Sequence, residues 1–249
     1  MTEGGFKAGH FELLAEVEEK HFWFKARNKI IAWAVKRYFN DTRSILEVGC
    51  GTGIVLANLE NEFPEAALTG IDLYPEGLSV AAKRITGAEF INADCLTFDF
   101  KKGFDVVGAF DVLEHLQDDD ELLRRMYKWV SPGGGIVITV PQYPFLWSKV
   151  DKFACHVRRY RAKDLQKKIE AVGFNVIRRT SFVSFLMPAV FISRLKSKFA
   201  ASDTAAPEFK VNPFLNRLFE KIIGFEAFLI RRGFDLPFGA SLLMVAKRG

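Results

Sequence analysis

A stripe of mostly apolar positions, Phe11, Leu14, Val17, His21, Phe24, Asn28, Ile31, Val35 and Tyr38, follows the helical period and predicts a helical opening through residue 39. Short apolar runs separated by amphipathic stretches come next. Residues 44–48, 67–71, 88–91, 105–110 and 135–140 read as five buried strands. Strands alternating with helical patterns predict right-handed crossovers and a parallel sheet covered on both faces. The turn cluster Ser131-Pro132-Gly133-Gly134-Gly135 ends a helix carrying Leu122, Leu123, Met126 and Trp129 and announces the fifth strand. A helix over 163–172 stops at Gly173, a sixth strand follows over 174–180, and a seventh covers 241–246.

The chain therefore reads as α/β, a doubly wound, mostly parallel seven-stranded sheet with helices on both faces. We expect a single domain, 1–249, with an N-terminal helical cap (1–40), a core (41–182 and 240–249) and a helical insertion (183–239) before the last strand. A long excursion of that kind usually carries function. Its first stretch, 182–192, is strongly apolar but far short of the ~20 residues that span a bilayer, and Pro188 interrupts it. Its second places Leu215, Leu218, Phe219, Ile222, Phe225, Phe228 and Leu229 near one face, with Arg217, Lys221, Arg231 and Arg232 elsewhere. Two readings fit: a helix lying on a membrane surface, or a hydrophobic lid over a site. Both imply a small apolar or lipid-linked ligand.

Composition narrows the setting. Twenty-five Phe in 249 residues is a heavy aromatic loading, and the net charge of +5 is spread along the chain, so no nucleic-acid partner is expected. Cys50, Cys95 and Cys155 are isolated, which argues against disulfides or a cysteine zinc site and fits a reducing cytoplasm. Residues 1–20 are polar and acidic with no apolar core, so no secretory signal is expected. The expected location is cytoplasmic, extending to the inner face of the membrane if the insertion is interfacial.

The strongest chemical signal is Glu47-Val48-Gly49-Cys50-Gly51-Thr52-Gly53 after the first strand. Its glycines permit a tight strand-to-helix turn and let a ligand lie against the backbone, with amides pointing at it. Ile54 stands where the dinucleotide fingerprint wants its last glycine. Glu47 would repel a pyrophosphate and attract a cation. Asp72 closes the second strand, where it serves either as a ribose acceptor or as a turn residue before Pro75; Asp94 and Asp111 follow the third and fourth strands. Four acids thus share the sheet edge where ligands bind in open α/β folds.

Residues 45–53, with these acids, resemble the motifs of class I, Rossmann-like S-adenosylmethionine-dependent methyltransferases. The resemblance covers roughly residues 20–182 and the last strand. It implies S-adenosyl-L-methionine as cofactor, held by the loop from Glu47 to Gly53, including Gly49, Cys50, Gly51 and Thr52. Glu47, Gly49 and Gly51 would hold its methionine part, Asp72 the ribose, and Asp94 with Cys95 the adenine, on which Leu73 would pack. Asp111 would border the reaction zone, and Arg27 would reach the cofactor carboxylate. Val112-Leu113-Glu114-His115 is similar to ubiquinone-biosynthesis-type small-molecule methyltransferases. No Asn-Pro-Pro-Tyr-like tetrad follows the fourth strand, which lowers the weight of a nucleobase or protein-amide target. Residues 19–28 and 147–160 look like a bacterial and archaeal methyltransferase subgroup.

For an O-methyl acceptor a base is needed, and His115 and His156 are the candidates; His115 fits a helix cap equally well, and the segment around His156 a salt-bridged loop anchor. Trp23, Trp147, Arg158, Arg159 and Tyr160 are the candidate substrate contacts. A metal held by Glu114 and His115, with Asp111 or Asp118, is the weaker reading: adjacent residues rarely complete a site, and Asp118–Asp120 suit the acidic start of a helix. No metal is expected. A nicotinamide oxidoreductase and a non-catalytic binder of the same cofactor are the competing functions.

Overall fold

A computed structural model describes residues 10–199 and 211–249; the first nine residues of the expected cap and part of the insertion lie outside the described residues. The expected opening helix is two helices, α1 (His10–Glu18) and α2 (Phe22–Tyr38). The break falls at His21, whose Nδ1 accepts from the Trp23 amide 3.2 Å away and caps α2. The periodic stripe passes through the break, which is why periodicity alone runs the two together.

The sheet comprises β1 (Ser44–Val48), β2 (Ala67–Asp72), β3 (Ala88–Asn92), β4 (Phe104–Phe110), β5 (Val130–Pro141), β6 (Phe174–Phe182) and β7 (Ser241–Arg248). Their order is β3-β2-β1-β4-β5-β7-β6, with β7 antiparallel to both neighbours and the other pairs parallel. Between them run α3 (Ile54–Glu62), α4 (Pro75–Arg84), α5 (Asp119–Trp129), α6 (Lys149–Phe153), α7 (Ala162–Ala171), α8 (Met187–Phe199) and α9 (Pro213–Arg231).

Two apolar layers sandwich the sheet, as expected for doubly wound architecture. One joins α2, α3 and α9 through Ile31, Val35, Leu56, Leu59, Ile223 and Ile230; the other joins α5 and α7 through Leu122, Met126, Leu165 and Ile169. β5 starts five residues earlier than expected. The Pro-Gly cluster does not precede the strand but bulges within it: pairing runs Phe104 to Val130, then Val106 to Gly135, so β5 carries three surplus residues. Pro188 does not interrupt α8; it sits in the first turn, where a missing N–H costs nothing.

α9 packs against α2 with Ile223, Glu226, Ala227 and Ile230 inward. The face carrying Phe214, Leu215, Leu218, Phe225 and Phe228 is exposed. Among the described residues, no helix is long and apolar enough to cross a membrane.

Candidate active site

The strand order reverses between β1 and β4, and the crevice at their carboxyl ends is where ligands bind in open α/β sheets. Glu47, Asp72, Asp94 and Asp111 all come from this edge. Gly49 and Gly51 have φ of +67° and +50°, which a side chain would strain. A Cβ on Gly49 would lie 2.6 Å from Val112 Cγ2, whereas one on Gly51 would meet nothing within 4 Å, so Gly51 borders open space.

Four of the loop amides are not aimed at a ligand, contrary to expectation. Gly49 and Cys50 donate to Ile71 O, Gly51 to Asp72 Oδ2 at 2.8 Å, and Gly53 to Cys50 O. A phosphate cradle needs such amides free, so this loop suits a ligand without phosphate. Two side chains also point elsewhere. The Thr52 hydroxyl bonds Glu18 and Arg84, tying the loop to α1, and Cys50 packs toward Gly70 beneath the sheet, where burial and the Glu47 charge push its thiol pKa up. Their part in the site is confined to the backbone.

Glu47 is buried, and its Oε2 has no hydrogen-bond partner. Desolvation raises its pKa well above the carboxylate range, against the pull of Arg27. A buried acceptor oxygen with no donor facing it is the feature a cationic ammonium would satisfy. Asp72 does not cap α4; Oδ1 accepts from the Tyr74 amide at 2.9 Å and Oδ2 from Gly51, and burial raises its pKa. Leu73 beside it is 55 % exposed, an unpartnered apolar surface where an aromatic ring would stack. Asp94 Oδ1 accepts from the Leu96 amide, and Cys95 is half-buried.

Arg27 on α2 reaches over this edge. Its Nη1 lies 2.7 Å from Asp111 Oδ2, and its guanidinium sits over the Trp23 and Phe24 rings, 4.8 and 5.3 Å from their centroids. Asp111 is held at φ +58°, an uncommon conformation for a non-glycine residue, and its Oδ2 also takes the Thr139 hydroxyl. Trp23 and Arg27 thus stand together near Asp111, whereas His21 caps α2.

Beyond β4, Leu113–His115 form a single 3-10 turn, and Asp118, not His115, caps α5 by accepting from Glu121 N. His115 and His156 meet edge-to-face, ring centroids 4.8 Å apart. Desolvation and then the His156 charge lower the His115 pKa. His156 Nδ1 stands 3.1 Å from Asp151 Oδ1. Asp151, unremarked in the sequence, also receives Arg159 Nε at 2.6 Å and the Ser148 amide at 2.8 Å. Burial would raise its pKa, but His156 and Arg159 outweigh that and hold it low. The capping box of α6, Ser148 with Asp151, is the signal that could have found it.

The expected substrate contacts Arg158, Arg159 and Tyr160 are committed inside the protein. Arg158 pairs with Asp119 at 2.7 Å, Arg159 pairs with Asp151 and donates to Gln142 O, and the buried Tyr160 hydroxyl donates to Asp119 Oδ2 at 2.7 Å. They anchor the loop that carries His156. Trp23 and Trp147 remain half-exposed. A second aromatic group joins Tyr143 and Phe145, after β5, with Phe238, before β7, their centroids 4.8 to 6.3 Å apart.

Comparison with known proteins agrees with this geometry. Residues 18–179 match a family described as a methyltransferase domain. The chain is similar to phosphoethanolamine N-methyltransferase 3 of Arabidopsis thaliana, 30 % identical over 194 residues, covering 73 % of this chain and 38 % of that protein. It is 31 % identical to the ubiquinone biosynthesis O-methyltransferase of Pseudomonas putida over 112 residues, 43 % of this chain and 47 % of that one. The chain thus spans less than half the length of these relatives. The structure of the plantazolicin methyltransferase BpumL with SAH shares the fold at a TM-score of 0.62 and 17 % identity, covering 96 % of this chain and 89 % of that one. With the matched family spanning most of the sheet and its acidic edge, the chain belongs to the S-adenosylmethionine-dependent methyltransferases.

Proposed function

We propose that this methyltransferase methylates an oxygen of a small apolar or lipid-linked acceptor that reaches the site from a membrane surface. The observation that carries the reading is the outward apolar face of α9 with the turn before α8. Phe214 is 74 % exposed, and Phe185, Phe225 and Phe228 stack in series with centroids 6.1 and 6.4 Å apart. Exposed Arg217, Lys221, Arg231 and Arg232 flank them. Rings that enter a bilayer's headgroup boundary beside cations that meet anionic lipid are the two halves of an interfacial helix.

S-adenosylmethionine supplies, when bound, a methyl group activated for in-line displacement. Glu47 would accept from its ammonium, Asp72 from the ribose hydroxyls, and Arg27 would take its carboxylate while Trp23 and Phe24 keep water out. Asp94 and Leu73 would flank the adenine. His115 and His156 ready the acceptor oxygen at the far side of Asp111. The relatives' names span nitrogen and oxygen acceptors; the imidazole pair, as candidate base, favours oxygen.

The surface reading predicts sedimentation with anionic vesicles that weakens as salt rises. Phe225→Ser with Phe228→Ser should cut binding at least tenfold without moving the unfolding midpoint, since both rings are exposed. Equal binding by this variant, or none by the parent at low salt, would refute the membrane part. Transfer of labelled methyl to a lipid or quinone extract tests the acceptor class. Linkage gives a further expectation. A cationic ligand favours ionised Glu47, whose pKa burial has raised, so S-adenosylmethionine affinity should rise with pH from acid toward neutrality and flatten in Glu47→Gln.

A further inference from the structure

Glu114 is fully buried, yet neither of its carboxylate oxygens has a hydrogen-bond partner. A carboxylate in that position is costly unless paired or coordinated to a cation. One ligand atom each from Glu114, His115 and His156 lie within 4.8 Å of one another. Glu114 Oε1 stands 3.9 Å from His156 Nε2.

The supporting contacts orient these donors. With Asp151 receiving the Nδ1–H of His156 at 3.1 Å, the ring's Nε2 lone pair is left on the Glu114 side. Asp151 is itself fixed by Arg159 and by the Ser148 amide. A metal-ligating histidine typically donates its other N–H to a carboxylate or carbonyl in this way, and two imidazoles with one carboxylate form the open donor set of catalytic zinc sites. Mixed nitrogen and oxygen donors favour a transition cation over magnesium or calcium.

We propose that Glu114, His115 and His156 bind one divalent transition cation, zinc or a similar ion, with Asp151 orienting His156 from behind, and that the open positions take an oxygen of the acceptor. Donors sharing a tetrahedral ion stand about 3.3 Å apart, so the trio, within 4.8 Å of one another, needs up to about 1.5 Å of closure, within the reach of side-chain rotation at His115 and His156. An acceptor hydroxyl held there would release its proton to water more readily, leaving the oxygen anionic for attack. This role rests on the proposed function; binding of the ion does not.

The test uses the full chain stripped with chelator and titrated with Co2+, whose visible absorbance reports coordination, and with Zn2+ by calorimetry. One ion per chain is expected, with Zn2+ displacing Co2+. Glu114→Gln and His156→Ala should each weaken binding at least tenfold, and Asp151→Asn about 10- to 100-fold. S-adenosylhomocysteine should still bind the Glu114→Gln chain, which shows that it remains folded. Absence of stoichiometric uptake by the parent, or uptake undiminished in both Glu114→Gln and His156→Ala, would overturn the site. Uptake as described by a chain that methylates no acceptor would support the site while defeating the functional reading.

Discussion

Asp72→Ala is expected to weaken S-adenosylhomocysteine binding by at least about 100-fold. A carboxylate offers about four lone-pair positions. Two are used by the Gly51 and Tyr74 amides, so the remaining two match a pair of vicinal ribose hydroxyls. Hydrogen bonds to a charged acceptor contribute about 1.5–3 kcal/mol each, and every 1.4 kcal/mol is about tenfold in affinity. The substitution also releases the Gly51 amide, loosening the turn that Glu47 and Gly49 share. Asp72→Asn separates these losses: its side-chain oxygen still serves one backbone amide, but its NH2 meets a ribose hydroxyl as a donor without the negative charge. Calorimetry should therefore place Asn between the parent and Ala. A change under threefold for Ala would remove Asp72 from the ribose site and leave it only a turn residue.

What the sequence disclosed, and what it hid, follows from which interactions are local. Buried parallel strands read as unbroken apolar runs, so β1, β2, β3 and β4 stand within about a residue of where the pattern puts them. Glu47, Asp72, Asp94 and Asp111 were legible because each ends or follows such a run. The break between α1 and α2 was not, because His21 caps a helix without leaving the apolar stripe. The bulge in β5 reads as an ordinary turn, since Pro and Gly mark both. Long-range pairings left no trace in spacing: Thr52 to Glu18, Arg158 to Asp119 and Arg159 to Asp151 join residues whose partnership only the folded chain creates. For that reason spacing alone leaves open whether the basic segment after α6 faces a substrate or fastens a loop, and only the folded chain shows its internal pairings. The exposed face of α9 shows a related gap. Its apolar stripe was visible, but the inward side is carried by Ile223, Glu226, Ala227 and Ile230, and only packing against α2 reveals which face is covered.

Arg27→Met should lower stability by about 3–5 kcal/mol at neutral pH, the usual cost of removing one partner from a buried ion pair. The pair with Asp111 is largely shielded from water, with side chains 8 % and 17 % exposed. The guanidinium charge also opposes the desolvation that raises the pKa of Glu18, Glu47 and Glu114. Without it, those folded-state values climb further above the unfolded ones. A carboxylate with a raised folded pKa costs nothing below its unfolded value, where both states are protonated, and progressively more as pH rises toward the folded value. The gap between Arg27→Met and the parent should consequently be small near pH 4 and widen toward neutrality. Arg27→Lys restores the charge but not the planar stack on Trp23 and Phe24 or the fork that would span Asp111 and a cofactor carboxylate. Lys should thus recover most of the pH dependence of stability and little of the cofactor affinity. Denaturant melts of the three chains across that range decide it: a pH-independent gap for Met would mean that Arg27 holds the acidic edge together by packing rather than by charge.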